Sequence, residues 1–407
     1  MKNVMIIGAG AIGSAVAHKC AQFNHELGNI CIASRTPSKC EKIIHDIKAK
    51  GNVQDTAKTL VAEQVNAKEV SQVEQLIQKH SISIVLNVGS SYCNLSILEA
   101  CKKTGACYVD SGVHEVEGRL NEKPPWYANY EWHHKDSVSN SGITAILSCG
   151  FDPGATNVFC AYVKKHLIDT IDTIDILDVN AGSHGKFFAS NFDPETNLRE
   201  IMEDAVYWEN DQFISLPCLS KHMEYELPVV GQHRLYIVNH EEVHSISQHI
   251  PLKRITFWMG FGDHYINCFR VLLNVGMLRH DPVTTTDGQT VIPIRVLKAV
   301  LPNPSSLGAG YTGKTCIGCL IRGVKQQVKK EVFIYNICDH EQSYQEIMSQ
   351  AIAYTTAVPI ITTAILLARE IWHVKHMVNM EELDPDPFMQ LIPEIGLDWH
   401  IIEKELV

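Results

Sequence analysis

Hydrophobic and polar positions change rhythm partway along the chain. Over the first 150 residues, short apolar runs alternate with stretches that repeat at helical spacing. The runs predict strands at 3–7, 29–33, 82–87, 106–109 and 143–147, with helices at 11–24, 37–50, 69–79 and 93–104. Such alternation implies an α/β unit: a doubly wound parallel sheet with helices on both faces. After Phe151, strand-like runs recur in "TIDILDVNAG", "HRLYIVNH", "RITFWMGF" and "EVFIYNIC", between longer helical or irregular pieces. They predict a second, α+β domain over 151–344 with a mostly antiparallel sheet. An apolar stretch at 345–370 predicts a helix that carries the chain back, so that 345–407 completes the first domain, 1–150. No flexible linker separates the two units, which places a cleft between them, a common position for a ligand.

The run "AIAYTTAVPIITTAILLA", residues 351–368, is uncharged and long enough to span a bilayer. Its threonines and Pro359, and the lack of a second such run, favour a buried helix of a large core. The chain has 407 residues, 45% of them apolar, enough for two cores. There are 46 acidic against 35 basic residues, a net charge of −11. That argues against nucleic acid or an anionic membrane as partner and is compatible with drawing in a cationic small molecule. The 13 cysteines are odd in number and scattered through apolar runs, and strand residues begin by Val4. Reduced thiols in a cytoplasmic protein are expected. Cys316 and Cys319 form a lone C-x-x-C without the second pair that zinc needs, and read as part of a strand or turn.

Gly8, Gly10 and Gly13 form G-x-G-x-x-G between the first strand and the first helix, with Ala11 and Ile12 inside the motif. The first glycine permits a tight turn, the second lets backbone approach a pyrophosphate, and the third lets helix and strand pack. This is the phosphate turn of a Rossmann-type dinucleotide site. The second strand of such a site ordinarily ends in an acid that binds a ribose 2′-hydroxyl. Here it ends in Ser34, Arg35 and Thr36, which suit a 2′-phosphate, so NADP (NADPH) is the expected cofactor. The alternative is a solvent-facing Arg35 with NAD bound through Ser34.

"SCGFDPGATNVFCAY" stands at the domain junction, where glycines and Pro153 force irregular backbone at a strand's carboxyl end. Asp152 there is placed to hold a substrate ammonium, or else to cap the following helix. In "NFDPETNLRE", Asp193 and Pro194 start a helix whose N-terminus, with Arg199, would bind a carboxylate. The competing reading is a surface helix with Glu195–Arg199 pairing. "HEEVH", residues 240–244, matches a zinc-peptidase pattern, but it follows the β-type run "RLYIVN". On an extended segment the two histidines lie too far apart to chelate.

The segments "IIGAGAIG", "IASRTPSKCEKII", "CGFDPGATNVF", "DVNAGSHGKFFASNFDPETNLRE", "FWMGFGDHYIN", "GYTGKTCIG", "YTTAVP" and "LDPDPF" run in order along almost the whole chain. Together they resemble the saccharopine dehydrogenase family, in its imine-reducing polyamine branch. The resemblance implies a Rossmann domain plus an α+β domain that supports a homodimer. It also implies that L-aspartate β-semialdehyde condenses with putrescine or 1,3-diaminopropane, the imine being reduced with NADPH to carboxyspermidine or carboxynorspermidine. Other activities of the family, saccharopine or homospermidine formation, and a non-catalytic NADP-sensing protein are the alternatives. The family often places prolines after the fourth strand, near the nicotinamide. Here the cofactor-side run is Asn87, Val88, Gly89, Ser90, Ser91 and Tyr92, which bears on the loop's rigidity and not on the site itself.

The chemistry asks for a cation at the aldehyde's carboxylate and acceptors at the amine nitrogens. Arg199 with Asn191 is the expected carboxylate site, and Asp152 the residue near the ammonium or iminium. His114, after "YVDSG", is a candidate proton shuttle for losing water from the carbinolamine. The alternative reading is an exposed loop histidine. His184 in "NAGSHGK" is a further substrate-side candidate. No metal is implied.

Overall fold

The computed structural model describes residues 2–117, 119, 123–124, 127 and 130–406. Strands β1 (Asn3–Ile7), β2 (Ile30–Ser34), β3 (Leu60–Gln64), β4 (Ile82–Asn87), β5 (Cys107–Asp110) and β6 (Ala145–Leu147) build a parallel sheet in the order β6-β5-β4-β1-β2-β3. Both faces are covered. Val4, Ile6, Ile30 and Ile32 enter one core, whereas Met5, Ile7, Cys31 and Ala33 enter the other. That is why these strands are continuous apolar runs. Edge strand β3, "LVAEQ", is only half-buried and lacks such a run.

The second sheet contains β7 (Thr170–Asn180), β8 (Ala205–Glu209), β9 (Gln212–Leu216), β10 (His222–Leu227), β11 (Gly231–Val238) and β12 (Arg254–Gly260). After a two-stranded hairpin, β13 (Val283–Thr284) with β14 (Thr290–Val291), it is extended by β15 (Lys314–Lys325) and β16 (Val328–Asp339). Its order is β10-β11-β12-β7-β15-β16, with the β8–β9 hairpin attached to β12. Among the described residues of this sheet, only the β12–β7 pairing is parallel. Cys316 and Cys319 lie on opposite faces of β15, one in each flanking core, so they do not face a common metal.

The return of the chain differs from expectation. Two helices, His340–Ile347 and Ala351–Ala368, stand where one was expected. The left-handed Met348 (φ +57°) ends the first, and the Gln350 side chain caps the second at Ile352 N and Ala353 N. The helix Ala351–Ala368 is 83% buried within the protein, packed against the helix Ala11–Gln22. Strand β17 (Met377–Asn379) then joins β6 in the first sheet, and β18 (Trp399–Glu405) joins β16 in the second. Buried Lys19 fastens this return: its Nζ donates to Tyr354 Oη (2.9 Å) and Ile395 O (2.8 Å) and pairs with Glu346. Tyr354 and Thr355 are therefore core residues of the returning helix.

Strand β7 positions the site. Its residues alternate faces, and Ile174 and Ile176 enter the core shared with the first domain. Further along that same face, Asp178 and Asn180 replace them. The apolar face thus turns polar where β7 nears the carboxyl edge of the parallel sheet.

Candidate active site

Gly8, at φ +126°, ends β1 so closely against the β4 loop that a Cβ would stand 2.7 Å from Val88 O. A Cβ on Gly13 would stand 2.2 Å from Gly8 O. Around Gly10 nothing lies within 4 Å, so the open space of the turn is on its outer side. The helix Ala11–Gln22 starts there with no side-chain cap, leaving the N–H groups at Ala11 and Ile12 to meet a ligand. A pyrophosphate fits this cradle. At the end of β2, Arg35 and Thr36 are exposed, and the Arg35 side chain has no ion pair among the described residues. Ser34 is less available than expected. Its hydroxyl donates to Thr36 O (2.9 Å) and accepts from Thr36 N (3.1 Å), closing the turn.

The loop after β4 is held by a polar network in place of prolines. Buried Asn87 donates to Asn94 Oδ1 (2.8 Å) and accepts from Gly89 N (3.2 Å). Asn94 donates to Gly112 O (2.7 Å) and to Glu131 Oε1 (3.3 Å), which also accepts from His114 N. Val88 N donates to Ile7 O (3.0 Å), and Ser90 is exposed at the loop's apex. His114 is half-buried, not an exposed loop residue. Its Nδ1 lies 3.0 Å from Ser91 O, which can only accept, so Nδ1 carries the proton. Burial pushes the carboxyl groups beneath this loop up, Asp110 to about 7 and Glu131 to about 8.

Asp152 does not cap the following helix. Gly154 precedes the helix Ala155–His166, and Asn157 Oδ1 accepts from Gly154 N (2.9 Å). Asp152 instead hydrogen-bonds Asp178 of β7, within the fields of Glu200, His240 and Glu242. Burial, then the charge of Asp178, hold the Asp152 carboxyl well above the usual range. Burial raises Asp178 to about 6 and Glu200 to about 7. Burial alone would lower His240, but its partner Glu242, with Asp152 and Glu200, raises it to about 10.

The "HEEVH" segment is not extended. His240 keeps strand-like backbone, and the helix Glu241–His249 starts immediately after it. His240 Nδ1 is bound to Glu242 and its ring stacks on Phe257, 3.8 Å between centroids. His244 Nε2 contacts Asn239 Oδ1 at 3.0 Å. The two rings are thus engaged separately, and no group of metal-ligand side chains occurs among the described residues. Glu241 links the domains, and Glu242 ties its helix to the helix Ala155–His166 within the second domain. Glu241 accepts from Val113 N (3.1 Å) and Ser148 Oγ (3.3 Å) beyond β5 and β6, and Glu242 accepts from Thr156 Oγ1 (3.0 Å).

Arg199 is 4% exposed, which rules out the surface-helix reading. Its Nη1 donates to Tyr92 Oη (3.2 Å), Nη2 pairs with Glu115, and Nε lies 3.6 Å from Glu203. Glu195 pairs instead with Lys298 (3.3 Å). Asp193 caps its helix through Glu195 N and Thr196 N. Asn191 and His184 belong to a different group from Arg199. Tyr311 Oη donates to Asn191 Oδ1 (2.9 Å), and the His184 ring meets Tyr311 edge-on at 5.4 Å. Tyr311 also stacks on His340. The structure therefore joins Arg199 to Tyr92, and Asn191 to His184, as two groups. Asp178, Glu200 and the His240–Glu242 pair escaped the sequence reading. Their only sequence signal was charge inside otherwise buried patterns, and Glu242 is fully buried.

Residues 4–146 match the family model for the saccharopine dehydrogenase NADP binding domain, and residues 150–397 that for the saccharopine dehydrogenase C-terminal domain. The chain is 49% identical over 402 residues to a carboxynorspermidine synthase of Vibrio alginolyticus, covering 99% of this chain and 97% of that protein. It is 42% identical over 405 residues to a carboxyaminopropylagmatine dehydrogenase of Synechocystis, covering 98% and 97%. Among solved structures, the L-Glu-forming saccharopine dehydrogenase of Saccharomyces cerevisiae aligns with a TM-score of 0.68 at 11% identity, covering all of both chains, a likeness of fold.

Proposed function

Because the chain belongs to the saccharopine dehydrogenase family, we propose that it catalyses the NADPH-dependent reductive condensation of L-aspartate β-semialdehyde with a diamine. The product would be carboxyspermidine from putrescine or carboxynorspermidine from 1,3-diaminopropane, and the protein a homodimer. The observation that carries this reading is the 49% identity, over nearly the full length, to a carboxynorspermidine synthase. The name of the Synechocystis relative adds agmatine to the amines worth testing.

The turn at Gly8, Gly10 and Gly13 would hold the pyrophosphate, and Arg35 with Thr36 the 2′-phosphate. The loop Asn87–Tyr92, braced by Asn94 and Glu131, would fix the nicotinamide end. When bound, NADPH supplies the hydride that reduces the imine carbon. Asp152 has two tasks. Kept protonated by burial and by Asp178, it can donate to the hydroxyl leaving the carbinolamine; as a carboxylate it then faces the iminium and favours its charged, more electrophilic form. His114, its ring oriented by the Nδ1–H···O bond to Ser91, would move that proton. Arg199 is the site's buried guanidinium, and the aldehyde's carboxylate would take the place of Glu115 on its fork. Asn191 and His184, gathered around Tyr311, would line the outer part of the cleft.

The test is product identification. Purified protein is incubated with NADPH, aspartate β-semialdehyde and putrescine, 1,3-diaminopropane or agmatine in turn, and products are read by mass spectrometry. A reduced carboxylated adduct with at least one amine is expected. Recovery of only the alcohol of the aldehyde would contradict the proposal.

A further inference from the structure

The guanidinium of Arg199 already holds a carboxylate, supplied by the chain itself. Glu115 stands on irregular backbone that follows β5 in the first domain. One of its oxygens is bound to Arg199 Nη2, and the other accepts from Ser91 Oγ (3.0 Å). Arg199 Nη1 donates to Tyr92 Oη (3.2 Å), which leaves the phenol its own proton to donate. Ser91 and Tyr92 are consecutive residues of the short turn Ser91–Cys93, at the end of the cofactor loop. A buried guanidinium, a serine hydroxyl and a phenol thus stand around one carboxylate, a donor set suited to such a group.

Glu115 is held less firmly than the other acid on Arg199. Buried Glu203 lies one helical turn beyond Arg199 on the same segment, 3.6 Å from Nε, and stays with it. Glu115 comes from the other domain and its side chain is 23% exposed. The backbone before it is anchored, Val113 N to Glu241 and His114 N to Glu131. After it comes the exposed pair Glu117–Arg295 (2.5 Å), which contributes little. Exchanging Glu115 for a ligand's carboxylate leaves the charges around Arg199 unchanged in number, so it requires no further burial of charge. A phosphate dianion would add one. The place also suits the aldehyde, in which a short carbon chain separates carboxylate from carbonyl. His114, next to Glu115, lies 3.0 Å from Ser91 O through Nδ1, so the subsite adjoins the cofactor loop.

We propose that Ser91 and Tyr92 complete, with Arg199, the subsite for the substrate's carboxylate, and that Glu115 is its resident occupant, an internal competitor that sets the affinity for the aldehyde. This rests on the reading of Arg199 above and deepens it. Two residues of the cofactor loop become substrate ligands through their hydroxyl groups. Glu115 keeps the buried guanidinium paired while the subsite is empty of substrate, and leaves when the substrate's carboxylate arrives. The apparent affinity for substrate is then reduced by the fraction of molecules in which Glu115 is in place.

Calorimetry on the NADP-loaded protein tests this with two unreactive probes: L-homoserine, which keeps the carboxylate of the semialdehyde, and 3-amino-1-propanol, which lacks it. Wild type should bind homoserine about tenfold or more tightly than the amino alcohol. Glu115→Gln, which leaves a neutral and weaker competitor, should bind homoserine roughly threefold or more tightly than wild type, with unchanged NADP affinity. Ser91→Ala and Tyr92→Phe should each bind it roughly threefold or more weakly. If Glu115→Gln does not fold, Glu115→Asp, too short to keep both contacts, is read by the same sign. A contact that only joins the domains predicts weaker or unchanged homoserine binding in folded Glu115→Gln, and that result would overturn the proposal. So would equal binding of the two probes by the wild type. Probe binding as expected, in a protein that never oxidises NADPH with the semialdehyde and an amine, would instead remove the proposed reaction and leave the carboxylate subsite standing.

Discussion

Arg199→Lys separates a substrate-binding guanidinium from one that only joins the two domains. Arg199 is 4% exposed and its three nitrogens address Tyr92, Glu115 and Glu203. Lysine keeps the charge but offers a single ammonium, which cannot serve a phenol and two carboxylates from different directions. Removing the charge altogether would strand the buried Glu203 and the half-buried Glu115, at up to about 3–5 kcal/mol. Lysine should lose less, about 1–3 kcal/mol, the cost of one underserved buried acceptor. If the aldehyde's carboxylate exchanges with Glu115 on the fork, a second loss appears in catalysis. With saturating amine and NADPH, kcat/KM for the semialdehyde should drop tenfold or more, about 1.4 kcal/mol in transition-state stabilisation. Denaturant unfolding, NADPH binding and semialdehyde kinetics would be measured on one preparation. A destabilised variant with unchanged semialdehyde kinetics would refute the carboxylate role and leave Arg199 as a domain-bridging ion pair. A parallel loss of NADPH affinity would show that it acts through Tyr92 and the cofactor loop.

Arg35→Ala should weaken NADPH binding tenfold or more, from loss of a contact worth about 1.5–3 kcal/mol, and leave NADH nearly unchanged; equal effects on both cofactors would place the 2′-phosphate elsewhere. Gly10→Ala should fold normally, since open space surrounds that position, yet lose NADPH affinity in direct titration. Gly13→Ala should be destabilised by about 1–3 kcal/mol in denaturant unfolding, because its methyl meets Gly8 O. Glu131 is raised from 4.5 to about 8, so the folded protein holds a proton that the unfolded chain has released. Its contribution therefore lowers stability as pH rises from about 4.5 to about 8, and Glu131→Gln should flatten that decline in unfolding midpoints. An unchanged slope would mean that Glu131 does not titrate in this window.

The parallel sheet was legible because strands buried on both faces are forced into apolar runs, as in "VMII" and "ICIA". Pro37 and Gly51 bracket the helix Pro37–Lys50, and its bounds coincide with the expected ones. Partly buried strands were not legible: β3 and β9 contain no buried residue and β8 is buried only at Ala205 and Val206, so none makes a continuous buried run. The cofactor turn could be read because its function depends on local glycine geometry. The carboxyl group cluster could not, because its members lie up to 90 residues apart and only the tertiary fold unites Asp152 with Glu242. "HEEVH" shows the same limit. The segment was expected to be extended, but the chain turns from strand to helix immediately after His240, whose ring pairs with Glu242.

The central claim is that hydride is delivered to an imine made from two substrates, and cofactor oxidation under omission tests it most directly. NADPH absorbance would be followed with aspartate β-semialdehyde alone, with each diamine alone, and with both together. The account predicts oxidation only in the complete mixture, with a rate that saturates in both substrates. Oxidation at the same rate with the aldehyde alone would mark a simple aldehyde reductase and contradict it.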